Sequence, residues 1–345
     1  MAVQAGFICG TLLIALSGLA DRFRASRLFA IAAVAGALCN AGFILVPGDA
    51  WPGMAARFLT GLCLAGVYPL GMKLVVSWTP RHAGAALGWL VGMLSLGTAL
   101  PHLLRGATAQ LPWQWPLLMA SLLALAAAGM VFALGDGPHL PAPMKARALA
   151  SLGGFKSRNF RAVAFGYFGH AWELYALWTL VPFLAGRELL RLDVDPGWLP
   201  WLAFSIIALG LPGCVLGGRL SRRVGSFKVA RGALLISGAL CLLYPLLGNA
   251  SPWLLLALLG LWGLSVIADS PQFSALASVT SPAGSLGGTL AIMNAIGFSL
   301  TLPAIALTTT LWPQIGLDVL WWLLPGPVLG LLAMHRMQRD DLRHS

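Results

Sequence analysis

Two stretches of this sequence carry acids where acids are rare. Glu173 lies in the apolar run 160–184, and Asp269 in the run 253–278. His170 precedes Glu173 by three residues, and Tyr167 precedes His170 by three. On a helix that spacing puts all three on one face. A carboxylate beside an imidazole can take up a proton and pass it on. The same residues can equally form a satisfied hydrogen-bonded set that only joins helices. Asp269 belongs to Ala268-Asp269-Ser270-Pro271-Gln272-Phe273-Ser274. Pro271 has no N–H, so it leaves a helical carbonyl without its donor. Ser270, Gln272 and Ser274 add polar groups at that break. In the run 54–77, Arg57 can attract an anion, pair with a carboxylate or snorkel to the interface. Lys73, near the other end of that run, reads as a snorkelling cation, and Asn40 and Asn294 as lining candidates. One His and one Glu supply too few donors for a metal site, so neither a metal nor a cofactor is expected.

These residues sit in a chain that is 58% hydrophobic and only 10% charged. A soluble domain carries about 25% charged residues. So little charge cannot coat a globule, and a lipid bilayer is the partner such a surface needs. Eleven apolar runs are each close to the ~20 residues that a span requires: 2–20, 28–47, 54–77, 84–104, 115–134, 160–184, 199–220, 229–248, 253–278, 286–310 and 317–334. They do not alternate polar and apolar residues as barrel strands do, so an all-α integral membrane protein is expected. On α-helical geometry Glu173 lies ~20 Å along its helix from Phe160, just past the midplane.

The net charge of +11 reads as topology rather than as a nucleic-acid signal. Arg22, Arg24, Arg27, Arg81, Lys145, Arg147, Lys156, Arg158, Arg161, Arg219, Arg222, Arg223, Lys228, Arg231, Arg336, Arg339 and Arg343 fall on one side, and Arg105, Arg187 and Arg191 on the other. The positive-inside rule makes the first side cytoplasmic, with a multi-pass chain in the plasma (inner) membrane and a cytoplasmic C-terminus. Trp51, Trp113, Trp115, Trp198, Trp201, Trp253 and Trp312 sit at span ends, where tryptophan anchors the interface. Cys9, Cys39, Cys63, Cys214 and Cys241 lie within apolar runs and read as small core residues. No cation precedes the first run, so it reads as a span and not as a signal peptide.

The breakers repeat. Pro69, Pro80 and Pro101 are matched 202 residues later by Pro271, Pro282 and Pro303, and Gly61 by Gly263. Near the start the offset is 200, with Ser17-Gly18-Leu19-Ala20-Asp21-Arg22 facing Gly217-Gly218-Arg219-Leu220-Ser221-Arg222. Two parallel halves follow: residues 1–134 with five spans and 159–334 with six, joined by a cytoplasmic linker at 135–158 and ending in a tail at 335–345. Parallel halves about an axis along the membrane normal characterise one class of secondary transporter. The run 160–184 has no first-half partner, so the expectation is that a first helix is lacking from this sequence, through a misplaced start or a truncation.

Motif and repeat together resemble the major facilitator superfamily, whose hallmark is Gly-x-x-x-Asp-Arg/Lys-x-Gly-Arg/Lys-Arg/Lys after the second helix of a half. The first copy here keeps Asp21, Arg22 and Arg27 but has Ser17 and Arg24 where the family favours Gly. The second keeps Gly217, Arg222 and Gly225 and has Ser221 for Asp. Arg57 with Gly61 is similar to a family feature of the fourth helix. The resemblance implies a two-half bundle that moves a small molecule or ion by alternating access, with Asp21, Arg22, Arg27 and Arg222 as a cytoplasmic latch. It also implies a transporter able to work as a monomer. As polar residues within the spans, Glu173, His170, Asp269, Arg57, Tyr167, Gln272 and Asn294 are the candidates for proton coupling or substrate binding. Symport and antiport both stay open. Gly88, Gly92, Gly97 and Pro101 suit an efflux antiporter for drugs or metabolites, but the antiporter Gly-Pro dipeptide is absent. A truncated, non-transporting membrane protein is a further reading. No nucleophile–base constellation suggests an enzyme, and no Gly-x-x-x-x-Gly-Lys-Ser/Thr loop suggests ATP drive.

Overall fold

A backbone in hydrocarbon must pair its own polar groups, and this chain does so with helices. The computed structural model describes residues 2–46, 48, 50–107, 112–140, 150–282 and 286–335, and among these no strand occurs. The α-helices in chain order are α1 (Ala2–Ser17), α2 (Leu19–Arg22), α3 (Ala25–Gly42), α4 (Ala50–Leu64), α5 (Tyr68–Trp78), α6 (Ala83–Ala107), α7 (Gln114–Leu134), α8 (Arg158–Arg191), α9 (Leu199–Ala208), α10 (Gly210–Val224), α11 (Ser226–Leu246), α12 (Pro252–Ser265), α13 (Ser270–Thr280), α14 (Leu286–Ile315) and α15 (Pro325–His335). Lys145, Arg147, Arg336, Arg339 and Arg343, counted above as cytoplasmic charges, lie outside the described residues, as does the side chain of Asp21.

Among the described residues, eight helical stretches are long and apolar enough to cross a membrane. The stretch 286–335 counts as one of them, although the sequence divides it into two runs. At 16 residues α1 is apolar but short. Its run breaks at Gly18, whose φ of 68° is left-handed. With 34 residues α8 has length to spare, but it carries His170, Glu173, Glu188 and four arginines. Two boundaries differ from the sequence reading. The run 317–334 begins as a 3-10 helix, Gly316–Trp322, and only Pro325–His335 is α-helical. In the other direction, α8 runs on past residue 184 to Arg191, so Arg187 and Arg191 are helical residues rather than loop charges.

Two long helices are broken in the same way. Between α4 and α5 the N–H groups of Gly66 and Val67 turn back to Cys63 and Leu64, just ahead of Pro69. Between α12 and α13 those of Ala268 and Ser270 turn back to Ser265 and Ile267, just ahead of Pro271. In each case proline withholds the donor that would continue the α-helical ladder, and the chain tightens to shorter bonds.

The chain forms two compact units: Met1–Ala83 with Leu111–Phe160 and Ala277–Ser299, and Gly84–Gln110 with Arg161–Leu276 and Leu300–Ser345. In the first, α3 packs on α4 and α7, and α1 on α4. The α1–α4 contact is close: a Cβ on Gly61 would overlap the carbonyl of Val3. In the second unit α12 packs on α9, α10 and α11, and a Cβ on Gly263 would overlap the carbonyl of Ile206. Small residues let backbones meet in this way where no hydrophobic effect drives helices together. The core of the second unit is continuous, with Trp262, Tyr244, Leu177, Leu180 and Ile207 fully buried in it.

Candidate functional site

Inside the second unit, the polar face of α8 meets two helices and a helix break. Its i, i+3 spacing presents His170 and Glu173 together, and both are buried. Opposite them α11 offers Ser237 and Cys241, one turn apart, while α12 offers Trp262. The carboxylate of Glu173 is enclosed by donors: Trp262 Nε1–H donates to Oε1 at 2.6 Å, and the Ser237 hydroxyl to Oε2 at 2.9 Å. The Cys241 thiol sits 3.5 Å from Oε1. A buried carboxylate needs such partners, because desolvation costs several kcal/mol per ion.

One turn back along α8, His170 Nδ1 lies 2.7 Å from Asp269 Oδ1. Asp269 occupies the last position of the break between α12 and α13, and it is as buried as Glu173. The approach is close but lies off the line that a hydrogen bond prefers. The imidazole also reaches the Val266 carbonyl, which belongs to the same break. Tyr167 flanks it, with ring centroids 5.8 Å apart, and Phe273 does so at 6.3 Å. The result is two carboxylates and one imidazole, shielded by aromatic rings and joined through space, in a region poor in other charge. Such a set has the groups to hold a proton.

The remaining candidates have other partners or neighbours. Gln272 is buried one turn into α13, with its Nε2 3.5 Å from the Gly84 carbonyl. Asn294 is buried on α14 and belongs to the first unit. So does Arg57, whose Nη1 donates to Asn40 Oδ1 at 2.9 Å while its guanidinium lies 4.1 Å over the Phe43 ring. Asn40 in turn donates to the Leu117 carbonyl and to Ser121. Arg22, Arg27 and Arg222 are exposed at helix ends. Lys73 departs from expectation: it does not snorkel but is buried, and its ammonium donates to the Ala20 carbonyl. The carbonyl lies on α2, the short helix that carries Asp21 and Arg22.

Sequence reasoning missed four residues of the second unit. Ser237, Cys241 and Trp262 form the Glu173 cage, and each reads by itself as an ordinary core residue. Trp262 did carry a signal, since it lies in mid-run rather than at a span end. The fourth is Glu188, fully buried between Arg187 and Arg191, with Arg191 Nη1 2.7 Å from Oε2. Both arginines also donate to the Gly248 carbonyl, and Arg191 to that of Ala250, so the end of α8 grips the turn after α11. The spacing Arg-Glu-x-x-Arg was the legible trace of it.

Over 111 residues the chain is 34% identical to the niacin transporter NiaP of Acinetobacter baylyi, a match covering 29% of this chain and 25% of that protein. The chain thus matches about a quarter of the length of that curated relative. Among solved structures it resembles the human organic anion transporter MFSD10 (TETRAN), with 17% identity, a TM-score of 0.73, and coverage of 98% of this chain and 82% of that one. It also resembles the E. coli fucose:proton symporter FucP, with 15% identity, a TM-score of 0.74, and coverage of 98% and 90%. A bacterial homologue of the iron transporter ferroportin, in an outward-facing state, gives 16%, 0.70, 97% and 89%. These likenesses describe the fold. The sequence profile of the Major Facilitator Superfamily matches residues 1–303, and the chain belongs to that superfamily.

Proposed function

We propose that this chain is a secondary transporter that moves a small polar solute or organic ion by alternating access, coupled to protons through His170, Asp269 and Glu173. The observation that carries the reading is the 2.7 Å contact between a buried imidazole and a buried carboxylate at a helix break. A proton on that pair neutralises charge at membrane depth, and its arrival or loss changes what the break between α12 and α13 must hold. Ionisable residues in spans are expensive and usually serve a pathway. A relative named for niacin transport and a structural neighbour named for fucose:proton symport fit this class. Eleven spans, five in 1–134 and six in 159–334 with a cytoplasmic linker at 135–158 and tail at 335–345, complete the proposal. It further takes the chain as a monomer in the plasma (inner) membrane, with Asp21, Arg22, Arg27 and Arg222 as a cytoplasmic latch.

Reconstituted vesicles with an imposed pH gradient test it. Solute-dependent proton movement in the direction of solute flux reports symport, and movement against solute flux reports antiport, including efflux. If H170Q and D269N carry the same solute flux with the same pH dependence as the parent protein, proton coupling at this pair is wrong.

A further inference from the structure

We infer that the cavity around Arg57 in the first unit binds an organic anion, with the guanidinium taking the anionic group and aromatic walls taking an apolar, planar body. Where the anion is called cargo, this rests on the transporter reading above; the binding itself does not.

The cavity has a volume of about 600 Å³, which is within the ~300–1,000 Å³ usual for small-molecule sites. Phe43, Val46, Met54 and Trp113 supply apolar wall, and Arg57 is the one charged side chain lining it among the described residues. Phe43 and Trp113 meet edge to face with centroids 6.0 Å apart, and Trp113 is half exposed. The guanidinium already covers one face of Phe43, so a flat ring would lie against Trp113.

Arg57 is held rather than trailing. A snorkelling arginine reaches for water along a loose stem. This one is stacked on Phe43 at 4.1 Å and fixed by Asn40, which is itself fixed from α7 through Leu117 and Ser121. Both partners are neutral, so they orient the charge without cancelling it. A guanidinium has five N–H donors, and Asn40 accepts from one nitrogen. The remaining fork suits the two oxygens of a carboxylate or sulfonate. The repeat does not require this arrangement. The positions 202 residues on from Arg57 and Asn40 are Leu259, buried in the core, and Leu242, exposed. The cation and its buttress are therefore particular to the first unit, as a ligand site would be.

The test is equilibrium binding of benzoate to the purified full chain in lipid nanodiscs, read by calorimetry, with benzamide as the neutral isostere and benzylammonium as the cationic one. Benzoate should bind, and benzamide should bind at least about tenfold more weakly, as befits loss of a charge-assisted pair. R57Q should lower benzoate affinity by about tenfold or more, whereas R57K should keep part of it, since lysine supplies charge without the fork. An unchanged thermal unfolding midpoint for R57Q shows that the loss is not one of folding. Equal affinity for benzoate and benzamide, or full benzoate binding by R57Q, overturns the inference. G97A, whose added methyl meets open space, should bind benzoate normally. Arg57-dependent binding without proton-linked flux would sink only the transport reading, and the reverse result only the anion site.

Discussion

His170 Nδ1 lies 2.7 Å from Asp269 Oδ1, and the two residues belong to elements of opposite character. His170 is in the middle of α8, an uninterrupted helix of 34 residues. Asp269 is in the break ahead of Pro271, where the ladder of α12 has ended and that of α13 has not begun. A group on a continuous helix thus faces a group at a helix break. Protonation of either changes the attraction between them.

The first expectation concerns that pair. D269N and H170Q should each lower proton-driven solute accumulation by at least about tenfold, a loss of ~1.4 kcal/mol in driving or barrier terms. Solute exchange without a gradient should be affected less. Counterflow and gradient-driven uptake in the same vesicles separate the two. A loss of both in equal measure would mean that the pair only holds helices together.

Trp262 and Glu173 give a stability prediction. W262F keeps an aromatic ring beside Tyr244 but deletes the 2.6 Å donor to Oε1, leaving a buried acceptor short of a partner. The cost should be about 1–3 kcal/mol. It should be read as a lower unfolding midpoint in detergent and should shrink in the E173L background, where no carboxylate needs a donor. Equal costs in both backgrounds would mean that the ring, and not its N–H, does the work.

Glu188 should behave as a structural clasp. It is fully buried between two arginines that are about 30% exposed and that also hold the Gly248 and Ala250 carbonyls. E188Q removes the charge that these partly exposed cations share and weakens their hydrogen bonds, at a cost of about 1–3 kcal/mol. Limited proteolysis of the 247–250 turn should accelerate, while benzoate binding in the other unit stays as it was. Unchanged proteolysis would remove the clasp from consideration.

Glycines in the repeat can be ranked before any measurement. G61V and G263V should each abolish recovery of folded protein, because a branched side chain would stand where Val3 or Ile206 presents its carbonyl. G97A is the control: a Cβ there meets open space, and alanine in a helix is favoured over glycine by about 0.5–1 kcal/mol. Monodisperse yield after solubilisation distinguishes them. Full yield of G263V would show that the close α9–α12 approach is dispensable.

Some of this was legible along the chain. Charge scarcity and apolar run length give an all-helical membrane protein, because a backbone in lipid has few ways to pair its own polar groups. Pro69 and Pro271, 202 residues apart, stand at two helix breaks, whereas Pro101 and Pro303 of the same repeat lie inside α6 and α14. The spacing of Tyr167, His170 and Glu173 places them on one face, since three residues make nearly one helical turn.

What the tertiary structure alone decided is who faces whom. Nothing in the sequence pairs His170 with Asp269 rather than with Glu173, its near neighbour on the same helix. Nothing marks Ser237 and Cys241 as partners of a carboxylate more than sixty residues away. Lys73 illustrates the same limit: position suggested a charge escaping to water, yet packing of α5 against α2 gives it the Ala20 carbonyl instead. Local pattern determines where a helix runs, stops and turns its polar face, because those depend on a residue and its near neighbours. The partner of a buried polar group depends on helix rotation and register, which are set by packing across the whole unit, and no short window of sequence contains that information.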